Sequence, residues 1–297
     1  MAITANEFYK GIFGQKTYKL SIDSGCTCPN RDGSKGFGGC TFCSETGSGD
    51  FTASRDLPIS KQIEFAKSLV AKKIGSKNKN PKYIAYFQNF SNTYGCPEVL
   101  IKKYNEAINE KDVVGIAIAT RPDCLNTEIL QGIKDLSNKC FVQIEFGLQT
   151  SNQHTVDIIN RCYHNEEYQD AVKKIHSINN KIHIVTHIIF GLPAETEVDM
   201  MNTVKYAIDS KTDGIKITNL YIVKNTALEE DYERKSIIPL EKDEYFSLLK
   251  KAQILIPDNI VIHRLTGDPP KKNLIAPTWP FDKKKKLNKM KKLALIK

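Results

Sequence analysis

The stretch V-V-G-I-A-I-A-T-R-P-D (113–123) decides the fold class of this chain. Apolar residues and glycine run unbroken from Val113 to Ala119, and a polar turn follows at once. Continuous apolar runs of this kind are typical of parallel strands buried on both faces. Polar side chains directly after such strands indicate chemistry at the carboxyl ends of a parallel sheet.

The same pattern occurs six times along the chain, with helical patterns in the gaps. Apolar residues spaced by three or four mark the helices, as at Ile129, Ile133 and Leu136. Alternating strands and helices predict a mostly parallel sheet of the α/β class, and six units predict a partial (βα)6 TIM-type barrel. The predicted strands are Tyr18–Asp23, Tyr83–Phe87, Val113–Ala119, Phe141–Phe146, Ile182–Phe190 and Gly214–Ile222.

The pattern changes after Pro257, which predicts three regions. We expect a barrel over 1–256, a C-terminal extension that closes one side of it over 257–282, and a lysine-rich tail over 283–297. The tail holds eight of the 43 Lys and Arg residues and no acid, whereas the other 35 nearly balance the 34 Asp and Glu. Such a run is typical of nucleic acid contact, and a solvated surface helix is the alternative.

Composition excludes several classes of protein. A hydrophobic content of 40% over 297 residues allows a sizeable core. The sequence lacks both a run of about 20 apolar residues and a signal-peptide pattern, so we expect a cytoplasmic protein without membrane contact. Eight cysteines in a reducing compartment then indicate a metal site or thiol chemistry instead of disulfides.

The run C-P-N-R-D-G-S-K-G-F-G-G-C-T-F-C (28–43) follows the first predicted strand. Its thiolates, Cys28, Cys40 and Cys43, can hold three irons of a [4Fe–4S] cluster and leave the fourth iron open to another ligand. A structural zinc ion is the alternative, and it requires a fourth protein ligand. Cys26 lies close enough in sequence to supply that ligand.

Together with six further segments, this run resembles the radical S-adenosylmethionine superfamily. The closer resemblance is to the bacterial family related to the radical domain of the Elongator catalytic subunit. The first cysteine spacing, C-x11-C-x2-C, departs from the common C-x3-C-x2-C and suits that branch. The other segments are Y-F-Q-N-F-S-N-T-Y (86–94), A-T-R-P-D-C-L (119–125), E-F-G-L-Q-T (145–150), N-R (160–161), H-I-I-F-G-L-P-A-E-T (187–196) and H-R-L-T-G-D-P-P…L-I-A-P-T-W (263–279).

The resemblance implies a reaction and its cofactors. The cluster would sit in the loop 26–43, and S-adenosylmethionine would bind its open iron. An electron from a donor such as flavodoxin or ferredoxin would cleave the cofactor to methionine and a 5′-deoxyadenosyl radical. That radical would abstract a hydrogen atom from the substrate, while the protein orients the cofactor and excludes water.

The resemblance also nominates cofactor-binding residues. Polar side chains after the second strand would contact the methionine moiety, Arg161 would bind its carboxylate with a bidentate fork, and Glu145 and Gln149 would reach the ribose. For each of them, a hydrogen bond that merely shapes the loop is the alternative. The residues after the second strand are Gln88, Asn89, Ser91 and Asn92.

Three residues after the third strand are the catalytic candidates. Arg121 and Asp123 either face the substrate or pair with each other as a structural unit. Cys124 either donates a hydrogen atom to a product radical or fills space as a small apolar side chain, and Cys96 and Cys162 share this ambiguity. We interpret His187, within an apolar strand, as a core histidine.

The substrate expectation rests on the resemblance and on the tail. The Elongator-related branch modifies the side chain of the wobble uridine in tRNA, and the lysine tail would bind phosphates. The expected reaction acts on the C5 substituent, for example from carboxymethylaminomethyl to aminomethyl. The alternatives are a radical enzyme acting on a protein or small metabolite, and an RNA-binding protein with structural zinc.

Overall fold

A seven-stranded parallel sheet forms the core of the protein in the computed structural model, which describes residues 3–45, 47, 52–74, 80–269, 272–293 and 295. The sheet order is β1-β2-β3-β4-β5-β6-β8, and a separate antiparallel pair joins β7 to β9. This is the partial TIM-type barrel that the alternating pattern predicts. The strands are β1 (Thr17–Ile22), β2 (Lys82–Phe87), β3 (Val113–Thr120), β4 (Phe141–Gln149), β5 (His183–Phe190), β6 (Gly214–Asn219), β7 (Ile222–Val223), β8 (Val261–Arg264) and β9 (Leu274–Ala276).

Helices cover the outer face of the sheet. On β4, Val142, Ile144, Phe146 and Leu148 belong to the main apolar core, whereas Glu145, Gly147 and Gln149 line the barrel interior. The helices are α1 (Ala5–Phe13), α2 (Ile59–Ile74), α3 (Pro97–Asn109), α4 (Thr127–Ser137), α5 (Gln153–Ile158), α6 (Asn165–Ile178), α7 (Glu197–Asp209), α8 (Ala227–Glu233), α9 (Lys242–Leu255) and α10 (Lys283–Lys292).

The seventh strand comes from the C-terminal extension. β8 pairs in parallel with β6, with Gly214 opposite Val261. The six-unit pattern did not include it, because four residues are too few to show a period. Helix α1 was also not predicted. It begins with a capping box between Thr4 and Glu7, and its Phe8 ring stacks on His183 with centroids 4.3 Å apart.

The lysine-rich tail forms a helix that is anchored at both ends. Asp282 caps α10 by accepting from the Lys285 N–H at 2.9 Å. Leu295 is buried in the main core, and Met290 and Leu293 pack against that core. Ala294, Ile296 and Lys297 of the predicted tail lie outside the described residues. Within the described part of the chain, every helix is too short or too polar to cross a membrane.

Candidate active site

One cavity of about 830 Å³ occupies the barrel interior and the loops at the carboxyl ends of the strands. This volume is in the range of about 300–1,000 Å³ that is usual for small-molecule and cofactor sites. Its wall includes Cys28, Cys40 and Cys43 from the loop after β1. The three predicted cluster ligands therefore face one shared space.

Two side chains direct N–H groups at the sulfur atoms. Asn30 is fully buried, and its Nδ2 lies 3.6 Å from Cys40 Sγ. The Arg121 Nη1 lies 4.0 Å from Cys28 Sγ. A hydrogen bond from Cys43 lowers the pKa of Cys40 to about 7, whereas burial raises the pKa of Cys28 despite Arg121. Hydrogen bonds to sulfur are among the features that tune an iron–sulfur cluster held by thiolates.

The segment after α5 holds the cysteine loop in place. Asn160 Nδ2 donates to the carbonyls of Phe37 at 3.2 Å and Gly39 at 2.9 Å, and Asn30 Nδ2 donates to the Asn160 carbonyl at 2.5 Å. A side chain at Gly36 would place its Cβ 2.3 Å from Asn30 Oδ1. The glycine-rich loop therefore permits a close approach of backbone that larger residues would prevent.

Cys26 does not join the three cysteines. It is buried and lines a second cavity of about 740 Å³ together with Cys96 and Cys124. The zinc alternative needed Cys26 as its fourth ligand, and this position removes it from that role. Among the described residues, no group of three or more His, Cys, Asp or Glu side chains is arranged to hold a single metal ion.

Arg121 and Asp123 pair with each other, as the structural alternative proposed. Arg121 Nε and Nη2 donate to the two Asp123 oxygens at 2.9 and 2.8 Å, and Lys35 Nζ reaches Asp123 at 2.7 Å. Only Arg121 lines the first cavity, whereas Asp123 and Cys124 line the second. A 3₁₀ turn over Pro122–Cys124 changes the direction of the chain directly after Arg121. The structure therefore does not place Asp123 and Cys124 at the site where we expected them to act.

The four candidate residues in the loop after β2 also differ in whether they line the first cavity. Gln88 lines the first cavity, and its Oε1 accepts from the Ser21 hydroxyl at 2.9 Å. Asn89, Ser91 and Asn92 are buried outside the wall of that cavity and bond to protein groups. Asn92 Nδ2, for example, donates to the Ala119 carbonyl at 2.8 Å. These three residues shape the turn that carries Gln88.

Arg161 is saturated by protein acceptors. It is fully buried, and its five N–H groups donate to the carbonyls of Leu148, Thr150 and Tyr163 and to Asn165 Oδ1. No N–H of Arg161 remains for the bidentate fork that we expected, so the structure gives it the task of fixing the loop after β4. Gln149 does line the cavity, where its Oε1 accepts from the Tyr163 hydroxyl at 3.0 Å.

Glu145 lies at the centre of a charged layer that sequence reasoning missed. Lys19 Nζ donates to its Oε1 at 2.5 Å, and Lys216 donates to its Oε2. His187, which we interpreted as a core histidine, also contacts Oε2 at 2.8 Å and lines the cavity. A lysine inside an otherwise apolar strand, as in I-K-I at 215–217, is the signal that would have revealed this layer.

The charged groups of this layer shift the pKa values of one another. Burial opposes ionisation of Glu145, but Lys19 and Lys216 outweigh it and hold the pKa of that carboxyl well below its usual range. Burial and the nearby Lys19 charge lower the pKa of Lys216 to about 7, although Glu145 opposes the shift. Lys19, whose pKa is raised by Glu145 against the effect of burial, keeps its charge.

Comparisons with known proteins identify the family. The Radical SAM superfamily model matches residues 27–207, and the Radical_SAM C-terminal domain model matches 212–294. YtqA from Bacillus subtilis (strain 168) is 39% identical over 280 residues, which cover 94% of this chain and 85% of YtqA. YhcC from Escherichia coli (strain K12) is 31% identical over 268 residues, which cover 90% of this chain and 84% of YhcC.

A solved structure shares the fold. The N-terminally truncated archaeal Elp3 of Methanocaldococcus infernus superposes with a TM-score of 0.67 at 15% identity. The match covers 94% of this chain, and this chain spans 64% of the length of that one. The family model covers more than half of the sequence, and the three cysteines share one cavity. The chain therefore belongs to the radical SAM superfamily and is a radical SAM enzyme, of a family that uses a [4Fe–4S] cluster and S-adenosylmethionine.

Proposed function

We propose that this enzyme acts on tRNA, at the C5 side chain of the wobble uridine, and takes carboxymethylaminomethyluridine to aminomethyluridine. One observation supports this most directly: the three thiols and Lys283, the first residue of α10, line the same cavity. The helix to which we assign phosphate binding thus begins at the cavity that holds the three thiols. We place the reaction in the cytoplasm, with reduced flavodoxin or ferredoxin as the electron donor.

In this proposal Cys28, Cys40 and Cys43 each bind one iron, and Asn30 and Arg121 stabilise the thiolate charge. When bound, the cofactors would supply a 5′-deoxyadenosyl radical that takes a hydrogen atom from the methylene beside the substrate carboxylate, and the electron spent on forming the radical would be returned by the substrate. The C–N bond to that methylene would then break with addition of water, so that the two-carbon unit leaves as glyoxylate and the aminomethyl group stays on the uridine. The cavity fits the cluster, because all three thiols are part of its wall and N–H groups of Asn30 and Arg121 lie near two of the sulfurs. Gln88 and Gln149, on the same wall, are the side chains that we propose to orient S-adenosylmethionine.

The radical chemistry is tested with the wild type beside Cys40→Ala. Both are reconstituted anaerobically with iron and sulfide and incubated with S-adenosylmethionine and dithionite. We expect 5′-deoxyadenosine from the wild type alone, measured by mass spectrometry, and faster formation when bulk tRNA is added. Formation without stimulation by tRNA would instead favour a protein or a small metabolite as the substrate.

The tRNA interaction is tested at the exposed lysines of α10. We expect the triple change of Lys284, Lys291 and Lys292 to Gln to weaken tRNA binding. The salt slope should fall by roughly 0.7–0.9 for each phosphate that the variant no longer neutralises. Truncation is unsuitable, because Leu295 packs in the core.

The matched control changes three exposed lysines on other helices to Gln, and it should bind as the wild type does. Equal salt slopes for the two triple variants would contradict a role for α10 in binding. The control lysines are Lys102, Lys134 and Lys250.

A further inference from the structure

We propose that Lys19 and Lys216 form a subsite inside the barrel that binds a carboxylate carried by the substituent on which the enzyme acts. The inference rests on the proposed function and deepens it, because it assigns the substrate an anionic reacting group. Lys19 comes from β1 and Lys216 from β6, and both line the first cavity.

The charges in this layer do not balance within the protein. Two ammonium groups share the single carboxylate of Glu145. That carboxylate also accepts from Gln143 at 2.6 Å and from the Tyr86 hydroxyl at 2.8 Å. With His187 as the fifth group around its two oxygens, Glu145 has no capacity for a further donor, and a proton on Lys216 in addition to that on Lys19 leaves one positive charge without a counter-ion.

A second cation without its own counter-ion is costly away from water, which is why the pKa of Lys216 is lowered, and an anion bound beside it would hold the proton on this lysine. The side chains of Lys19 and Lys216 are only 21% and 13% exposed, and this exposure is toward the cavity. Lys216 Nζ contacts Glu145 and, at 3.4 Å, the Tyr86 hydroxyl. An ammonium group has three donors. A carboxylate in the cavity would accept the remaining one and restore neutrality.

The cavity as a whole is built to attract an anion. Eight Lys or Arg side chains line it, against two carboxylates among the described residues, Glu145 and Asp268. The cations continue from Lys216 to Arg264, which is 47% exposed, and to Lys283, which is 72% exposed. A charged path of this kind draws an anionic substrate inward from the surface.

Depth separates this subsite from the cofactor loop. Lys19 lies three residues before the end of β1, and Lys216 lies three residues before the end of β6. At about 3.3 Å per residue, the layer is therefore about 10 Å below the strand ends. The cysteines follow the end of β1, so a group bound at the lysines lies deeper in the barrel than the cluster loop.

The first test uses the loaded wild-type enzyme and needs no RNA. Reductive methylation with formaldehyde and cyanoborohydride is followed residue by residue by mass spectrometry. N,N-dimethylglycine, which carries the terminal carboxylate of the expected substituent and has no N–H that the reagent could methylate, should slow methylation of Lys216 and Lys19 at least threefold. The exposed Lys134 should be unaffected, and the methyl ester of N,N-dimethylglycine should protect none of the three.

The outcomes of this test are distinct. Protection by inorganic phosphate equal to that by N,N-dimethylglycine would overturn the carboxylate assignment in favour of a phosphate subsite. Absence of protection by either probe would overturn the subsite. Protection in an enzyme that does not turn over tRNA would leave the subsite standing and reject the proposed substrate.

The second test compares Lys216→Met, Lys216→Arg and the control Lys134→Met. The readouts are the affinity for S-adenosylmethionine and the binding of anticodon stem-loops with carboxymethylaminomethyl or aminomethyl uridine. The wild type should prefer the carboxylate-bearing stem-loop about tenfold, the equivalent of one charge-assisted hydrogen bond. Lys216→Met should lose this preference, and Lys216→Arg should retain most of it. A loss of S-adenosylmethionine affinity in Lys216→Met would assign the lysine to the cofactor and overturn the proposal.

Discussion

Two cavities of this protein are each lined by three cysteines, and they differ in what surrounds the sulfur atoms. In the first, two of the three sulfurs lie near N–H donors: Cys40 Sγ lies 3.6 Å from the Asn30 amide, and Cys28 Sγ lies 4.0 Å from Arg121 Nη1. The third thiol, Cys43, donates to Cys40, and this hydrogen bond together with burial raises the pKa of Cys43 while it lowers the pKa of Cys40. N–H groups from neutral and cationic side chains favour the thiolate form, which is the form that binds metal.

In the second cavity two of the three sulfurs, those of Cys96 and Cys124, donate to carboxylates. Cys96 Sγ donates to Glu98 Oε2 at 2.9 Å, and Cys124 Sγ lies 3.8 Å from Asp123 Oδ1. Burial and the Asp123 charge raise the pKa of Cys124 to about 12. A carboxylate partner favours the protonated thiol, so three thiols at this place are not equivalent to three thiols at the first. Neighbouring groups, and not the number of cysteines, decide which cavity suits a cluster.

The largest expected effect is on the iron content of two variants, one with a substitution in each cavity. Cys40→Ser should lose roughly nine-tenths or more of the iron bound after reconstitution, because a cluster with one thiolate missing is poorly held. The matched variant Cys124→Ser should load iron as the wild type does. Iron and sulfide are measured colorimetrically, with absorbance near the iron–sulfur charge-transfer band. Equal loss in the two variants would remove the distinction between the cavities.

The second prediction uses the pH dependence of alkylation in the metal-free chain. Cys40 and Cys124 are both half-buried. At pH 7.5, a pKa of about 7 leaves the Cys40 thiol mostly ionised, whereas a pKa of about 12 leaves almost all of Cys124 protonated. Iodoacetamide should therefore modify Cys40 at least about a hundredfold faster. The Cys124 rate should keep rising with pH beyond 10, while the Cys40 rate levels off above about 8. Similar rates at pH 7.5, measured by peptide mass spectrometry, would refute the contrast.

The third prediction concerns Arg121, whose guanidinium lines the first cavity and whose partner Asp123 lines the second. The Arg121 and Asp123 side chains are only 9% and 2% exposed. Arg121→Gln should therefore lower the free energy of unfolding by about 3–5 kcal/mol, since it leaves a buried carboxylate with Lys35 alone. The exposed pair of Arg234 with Glu230 is the control, and Arg234→Gln should cost under about 1 kcal/mol.

Urea denaturation followed by circular dichroism measures both variants. Arg121→Lys adds a further comparison, because it keeps the charge but loses the two-pronged contact. A cost for Arg121→Gln no larger than that of the surface control would show that the pair does not support the wall between the cavities.

The smallest expected effect is at the rim of the second cavity. Asn126 caps α4 by accepting from the Ile129 N–H at 2.8 Å. Asn126→Ala should lower the free energy of unfolding by about 1 kcal/mol and leave the iron content unchanged. A loss of iron in this variant would mean that the second cavity supports the cluster after all.

Sequence reasoning located six strands of the parallel sheet but missed the seventh, β8. Each of the six predicted strands is present, because buried parallel strands carry long apolar runs such as Val113–Ala119. β8 is four residues long and was assigned to the extension. The capping box between Thr196 and Asp199 at the start of α7 is, by contrast, a local feature of the sequence.

For the site, sequence reasoning found the loops but not the direction of each side chain. Gln88, Gln149 and Arg121 line the first cavity as residues at a barrel mouth should. Asp123 lies only two residues beyond Arg121, yet a single 3₁₀ turn sends it to the other cavity. Arg161 has the right charge for a carboxylate, but its N–H groups are already bonded to the loop that carries it.

By itself, the sequence determined the parallel α/β fold, the three cysteines and the lysine-rich segment, because apolar runs, short spacings and charge runs are local properties. Only the tertiary structure decided which polar residues share a space. Lys19 and Glu145 are 126 residues apart in sequence, and Lys216 is a further 71 residues away. They meet because the sheet curves until its first and sixth strands face one another, and curvature is a property of the whole sheet and not of any one strand.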